Sequence, residues 1–287
     1  MEIITDPVKC RLAIKTARHQ TRVGLIPTMG ALHDGHLSLV TAAQQNDQRV
    51  MVTIFVNPTQ FGPGEDFDAY PRQLEQDAAK CEAAGVAWIF APDKSAMYFP
   101  DASTTIRVDG LTRHLCGASR PGHFDGVTTV VAKLFHVAPA HAAYFGEKDF
   151  QQLQTIRRMV RDLDMDIDVV GCPIIREPDG LALSSRNQYL SPSQRVAATS
   201  LSQALFRAQA VVAEQPPVTV EKLVTDVRQE ITMAEGATID YVELVDETSL
   251  EPATGMIDRR LRLCVAVYFG ECRLIDNLAV DPTGSVR

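Results

Sequence analysis

The chain is short of positive charge: 28 Lys and Arg stand against 36 Asp and Glu, a formal net charge of −8. That deficit excludes a nucleic-acid partner held mainly through backbone phosphates, which needs clustered basic residues. CxxC pairs are absent. Cys10, Cys81, Cys116, Cys172, Cys264 and Cys272 are scattered, so neither a zinc site nor a disulfide framework is signalled, and they read as reduced thiols. No long apolar run is present either. The most apolar stretch, 126–146, is broken by Lys133, His136 and His141 and cannot span a bilayer. Glu2, Asp6, Lys9 and Arg11 interrupt any signal-peptide core at the N-terminus. The expectation is a cytoplasmic protein with no membrane anchor. There is no internal repeat and no low-complexity segment.

What is there fits a soluble globular protein: 45% hydrophobic and 22% charged residues in a length of 287, suited to a larger catalytic domain and a smaller companion. The first half alternates short apolar runs with longer amphipathic ones, the pattern of a parallel sheet flanked by helices. Strands are expected at 23–26, 49–56, 88–90, 142–145 and 166–170, with helices at about 35–45, 73–84, 127–136 and 149–163. The intervening loop 57–70, rich in Gly, Pro and Asp, is long for a connector. After Cys172-Pro173 the turn-rich run Arg176-Glu177-Pro178-Asp179-Gly180 marks a hinge. Helices at 193–214 and 220–234 and strands at 239–245, 261–268 and 272–277 follow. The predicted organisation is α/β: a Rossmann-like domain over 1–175, then a smaller C-terminal α+β domain over 176–287.

Three clusters carry chemistry. Pro27-Thr28-Met29-Gly30-Ala31-Leu32-His33-Asp34-Gly35-His36 lies where a strand ends and a helix begins. Unpaired N–H groups and the helix dipole favour phosphate there, and Gly30 and Gly35 let the backbone approach it. Two imidazoles three residues apart share one helical face, placing both as donors to one triphosphate. HDGH lacks the spacing and glutamate of a zinc-protease motif.

The second cluster, Gly146-Glu147-Lys148-Asp149 with Gln152, again runs from strand end into helix start. Lys148 supplies a point charge for phosphate, and Gln152 an amide for a small polar substrate. Asp149 suits a helix cap as well as a ribose hydroxyl or metal-bound water. The third, Leu183-Ser184-Ser185-Arg186-Asn187, suits β- and γ-phosphates as an oxyanion clamp, and suits a solvated turn with a serine cap equally. Gln60, past the second strand, is a donor and acceptor for a hydroxy-acid, and Arg120 with His123 belongs to a loop able to reach the nucleotide.

In order along the chain stand PTMGALHxGH, FVNPxQF, YPR, SRPGHFxGV, YFGEKDxQQL and LxxSSRNxYL, and with them the sequence resembles the pantothenate synthetase family from about residue 23 to 190, more loosely beyond. Phe150 and Asp125 depart from the commonest family spelling, which bears only on loop packing and local charge. The resemblance implies an HxGH nucleotidyltransferase site, a hinged lid and a homodimer, with ATP, magnesium, pantoate and β-alanine as the small molecules. It implies an ATP site along Met29, Gly30, Ala31, Leu32, His33, Asp34, Gly35 and His36, with His36 as the proton-donating position and His33 supporting it. Gly146, Glu147, Lys148 and Asp149 would contact nucleotide, Ile175 adenine, and Leu183, Ser184, Ser185 and Arg186 would close over the triphosphate. Gln60 and Gln152 would hold pantoate, Arg120 and His123 would assist, and Asp77 is a candidate magnesium ligand. The rival expectations are another HxGH adenylyltransferase and a non-catalytic nucleotide-binding protein.

Overall fold

A computed structural model describes residues 1–284. The chain runs β1 (Glu2–Ile4), α1 (Pro7–Arg18), β2 (Val23–Thr28), α2 (Asp34–Asn46), β3 (Arg49–Ile54), α3 (Leu74–Ala83), β4 (Trp88–Phe90), α4 (Lys94–Met97), α5 (Cys116–Ser119), α6 (His123–Val137) and β5 (Ala142–Gly146). It continues through α7 (Phe150–Asp162), β6 (Asp168–Cys172), α8 (Pro192–Ala198), α9 (Ser200–Glu214), α10 (Val220–Thr232), β7 (Ala237–Val245), β8 (Leu261–Phe269) and β9 (Cys272–Val280). Two compact units form: residues 1–109, 120–147 and 152–173 make the first, and 110–119, 148–151 and 174–287 the second. The second unit thus takes in two short segments that precede residue 174.

The first unit is built on a six-stranded parallel sheet of order β1-β4-β3-β2-β5-β6. Its strands are nearly continuous apolar runs, as a sheet covered on both faces requires. Ile26, Val52, Ile89 and Tyr144 pack with Leu39, Val40 and Ala43 of α2 in one buried cluster. Strand order reverses between β2 and β5, which pair directly, so the crevice at their C-terminal ends is the expected ligand position of such a sheet.

From the sequence the sheet is expected to open at β2; the structure adds β1 and α1 ahead of it. Asp6 caps α1, accepting the N–H groups of Val8 and Lys9 at 2.8 and 2.9 Å with Pro7 in the first turn. Helix α6 starts at His123, not 127, because Gly122 in a left-handed conformation serves as its N-cap. Strand β6 sits two residues later than expected.

The second unit carries a three-stranded antiparallel sheet, β7-β8-β9, with α8, α9 and α10, the expected α+β arrangement. Leu205, Val212, Leu223 and Ile231 of the helices bury against Leu263, Val265, Val267 and Phe269 of β8. The helix expected over 193–214 is two helices, since the Thr199 N–H turns back to Val196 O and closes α8.

Candidate active site

In the first unit the loop from β2 to α2 is shaped by a carboxylate. Gly30 (φ +85°) and Ala31 (φ +51°) are both left-handed, a conformation that costs energy at alanine unless surroundings enforce it. Asp77, fully buried in the first turn of α3, accepts the N–H of Ala31 at 2.9 Å through Oδ2 and that of Leu32 at 2.8 Å through Oδ1. Lys80, one turn on, donates to the Leu32 carbonyl at 2.5 Å. The Asp77 side chain, expected as a magnesium ligand, acts in this structure as a backbone clamp. Among the described residues no group of three or more His, Cys, Asp or Glu could hold a metal ion.

His33 and His36 are tied together differently from two residues on one helical face. His33 is the N-cap of α2, its Nδ1 accepting the Gly35 N–H at 3.2 Å, while His36 Nδ1 accepts the His33 N–H at 3.3 Å. This is a capping box made of two imidazoles, with ring centroids 4.1 Å apart. A nitrogen that accepts carries no proton, so in the neutral rings both protons sit on Nε2. Each ring then has its donor on the side away from the helix backbone.

A second constellation surrounds Gln60, in a short 3-10 turn after β3. Asn57 is buried; its Nδ2 donates to Gln60 Oε1 and to Gly126 O, each at 3.2 Å. Its Oδ1 accepts from Thr59 Oγ1 at 3.0 Å and from Tyr98 Oη at 2.8 Å. Burial pushes the Tyr98 phenol up, so it keeps the proton it donates. Gln60 Nε2 lies 3.0 Å from Met29 Sδ, which joins this group to the β2 loop. A Cβ on Gly126 would stand 2.2 Å from the Thr59 carbonyl, so only glycine lets α6 approach the turn.

Arg120 and His123 act on the same turn. Both reach the Gln60 carbonyl, at 3.3 and 2.7 Å, and they meet each other at 3.0 Å. Since guanidinium only donates and carbonyl only accepts, His123 carries its proton on Nδ1, the opposite tautomer to the α2 pair. Glu65 clasps Arg120 with both oxygens, at 2.7 and 2.6 Å, and the guanidinium holds its carboxyl down at about 2. Gly146 closes β5 at the sheet's crevice, Glu147 opens the 3-10 turn that follows, and Gln152 lies half-buried on α7.

The second unit holds the remaining expected residues. Lys148 and Asp149 share a 3-10 turn, Nζ and Oδ2 3.9 Å apart, a loose pair. Ile175 and Leu183 are joined backbone to backbone at 2.9 Å, with a bridge between Arg176 and Ala182, so the hinge run folds as a hairpin. Ser184 caps the next turn, accepting the Arg186 N–H at 3.2 Å, and Arg186 O accepts from Cys272 Sγ. The cap reading of Ser184 is therefore realised, and it presents Ser185 and Arg186 on a fixed turn.

Asn57, Glu65, Lys80, Tyr98 and Gly126 take part in these contacts without being singled out as site residues by any local sequence pattern. Asn57 before a proline carried a turn signal; the others act on partners 40 or more residues away, which no local pattern reveals.

Comparison with known proteins gives one answer. The family model described as Pantoate-beta-alanine ligase matches residues 2–279. A pantothenate synthetase of Acetivibrio thermocellus is 48% identical over 284 residues, 98% of this chain and 100% of that protein. The crystal structure of pantothenate synthetase from Thermus thermophilus superposes with a TM-score of 0.91 at 44% identity, covering 97% of this chain and 99% of its own. A pantoate-beta-alanine ligase from Francisella tularensis, solved in complex with beta-gamma ATP and beta-alanine, gives 0.80 at 32% identity with 97% of both chains covered.

Proposed function

We infer the working of the site from one premise: the chain belongs to the pantoate-beta-alanine ligase family. It is an ATP-dependent ligase that joins pantoate to β-alanine, giving pantothenate. The observation that carries the residue-level reading is the paired-imidazole cap at the start of α2, in which both Nδ1 atoms accept backbone N–H groups, leaving Nε2 as the donor of each neutral ring.

The reaction runs in two steps. A pantoate carboxylate oxygen attacks the α-phosphorus of ATP, and the bond to the bridging oxygen breaks, releasing pyrophosphate and leaving pantoyl-adenylate. The β-alanine amine then attacks the acyl carbon, loses a proton and expels AMP. An anion attacking a polyanion needs its charge offset, so donors and cations fixed in advance supply the rate. His36 Nε2 donates to the phosphate whose charge rises, and His33 supports it. Lys148 and Arg186 act on the same triphosphate, Ser184 and Ser185 with them, while Asp149 meets the ribose and the half-exposed Ile175 meets adenine. Gln60 and Gln152 orient pantoate, and the Asn57 and Arg120 contacts hold Gln60 still.

Magnesium enters with the triphosphate as part of the substrate, bound mainly by phosphate oxygens and water. The region after the hinge serves as a lid, because a mixed anhydride open to bulk water would hydrolyse before the amine arrived. Among the described residues no helix is long and apolar enough to cross a membrane. A cytoplasmic homodimer is the proposed form.

Incubating the protein with ATP, magnesium and pantoate, then adding β-alanine, tests this by product. Pyrophosphate should appear only when pantoate is present, and AMP with pantothenate only after β-alanine. Pyrophosphate formed without pantoate would instead indicate another adenylyltransferase, and binding without turnover an inert nucleotide-binding protein.

A further inference from the structure

Strand β9 contains two adjacent polar residues that the reaction above does not use, Asp276 and Asn277, 2% and 3% exposed. The large majority of polar side chains buried at such depth are hydrogen-bonded, and both of these are. Successive residues on a strand point to opposite faces, and each of these two grips a different piece of the second unit. Asn277 Nδ2 donates to the backbone carbonyl of Lys148 at 2.9 Å. Its Oδ1 accepts from Arg262 at 3.2 Å, which fixes the amide with its NH₂ toward Lys148. The Arg262 guanidinium stacks 4.0 Å over the Phe150 ring and pairs with Glu247 at 2.9 Å. Gln151 donates to the carbonyls of Leu111 and His114, each at 2.8 Å. Segment 148–151 is therefore held at three successive points.

Asp276 takes the other grip. Its two oxygens accept from Arg176 at 2.6 and 2.9 Å, and Arg176 also donates to Gly180 O at 3.1 Å, bracing the 175–183 hairpin that leads into Ser184 and Arg186. The two grips are joined, since the Asn277 backbone N–H donates to Asp276 Oδ1 at 2.7 Å.

We propose that Asn277 is a positioning residue for the ligase reaction, fixing the Lys148 backbone so that the ammonium meets the triphosphate at a set place. This rests on the reading of Lys148 as a phosphate contact. Lysine is a flexible point charge on four methylenes, so its precision comes from where its backbone is anchored.

Asn277→Asp is the discriminating variant: it has the same shape and can still pair with Arg262, but an ionised carboxylate cannot donate to Lys148 O. The expected result is a loss of kcat/KM for ATP of roughly tenfold or more, the scale of a misplaced charge, with KM for β-alanine unchanged. Asn277→Ala should show the same split. Lys148→Ala should lower ATP turnover further, and adding Asn277→Asp to it should cost little more, because the amide acts through the lysine. If Lys148→Ala is impaired while both Asn277 variants keep wild-type ATP kinetics, or lose only thermal stability, the positioning role is overturned and the lysine reading stands. If Lys148→Ala itself is unimpaired, the lysine reading fails and the positioning role falls with it.

Discussion

His36 accepts, through Nδ1, the backbone N–H of His33 at 3.3 Å, so the imidazole assigned to catalysis is also the last member of the helix cap that orients it. A protonated ring would lose that bond. In the proposed mechanism His36 acts as a neutral donor, and that proposed role can be separated from its capping role by substitution.

His36→Ala should slow pantoyl-adenylate formation about a hundredfold, the usual cost of one lost transition-state donor. His36→Glu should be slower still, because a carboxylate faces the triphosphate, yet it should melt closer to wild type than His36→Ala, because glutamate at this position completes a capping box. Single-turnover pyrophosphate release and thermal melts measure both. Equal single-turnover rates for wild type and His36→Ala would remove His36 from the chemistry.

Asp77→Ala leaves the Ala31 and Leu32 N–H groups without their acceptor in a buried loop, at a cost of about 1–3 kcal/mol for each group left unmet. The melting temperature should fall and KM for ATP rise, while the magnesium concentration giving half-maximal rate stays where it was. A magnesium titration of the variant decides the matter. A large shift in that concentration would place the metal on Asp77 after all.

Glu65 titrates at about 2 in the folded protein against an ordinary 4.5, chiefly through its hydrogen bonds to Arg120. A lowered carboxylate pKa stabilises fully above the ordinary value and loses its effect as pH falls through the folded one. The difference in melting temperature between wild type and Glu65→Gln should therefore be constant at neutral pH, narrow from about 4.5 downward and vanish near 2. Melting both proteins across that range tests it. A gap indifferent to pH would mean that the carboxylate charge does not hold the 57–70 loop through Arg120.

How much of this was legible in the sequence depended on how far apart the interacting residues lie. The β2-to-α2 motif was, because strand end, glycine, cap and helix start are consecutive and their signals are local. Helix α1 was also written there, in Asp6-Pro7, but the exposed Val8 and Leu12 blur its apolar stripe of Cys10, Ile14 and Ala17. The start of α6 was obscured because the helix is buried on most sides, so it has little periodicity to read, and a glycine and a proline precede it.

The sequence by itself determined the alternation of strands and helices, the family and the residue types offered to a triphosphate, since these follow from periodicity, capping and short motifs. Tertiary structure alone decided that Asp77 shapes the loop beside the histidines, that Glu65 and Arg120 clasp each other, and that Asn277 holds the Lys148 carbonyl. Those partners are separated by 45 to 129 residues. A hydrogen bond needs its two atoms within about 3 Å, and only the folded topology brings chain that distant to such a separation.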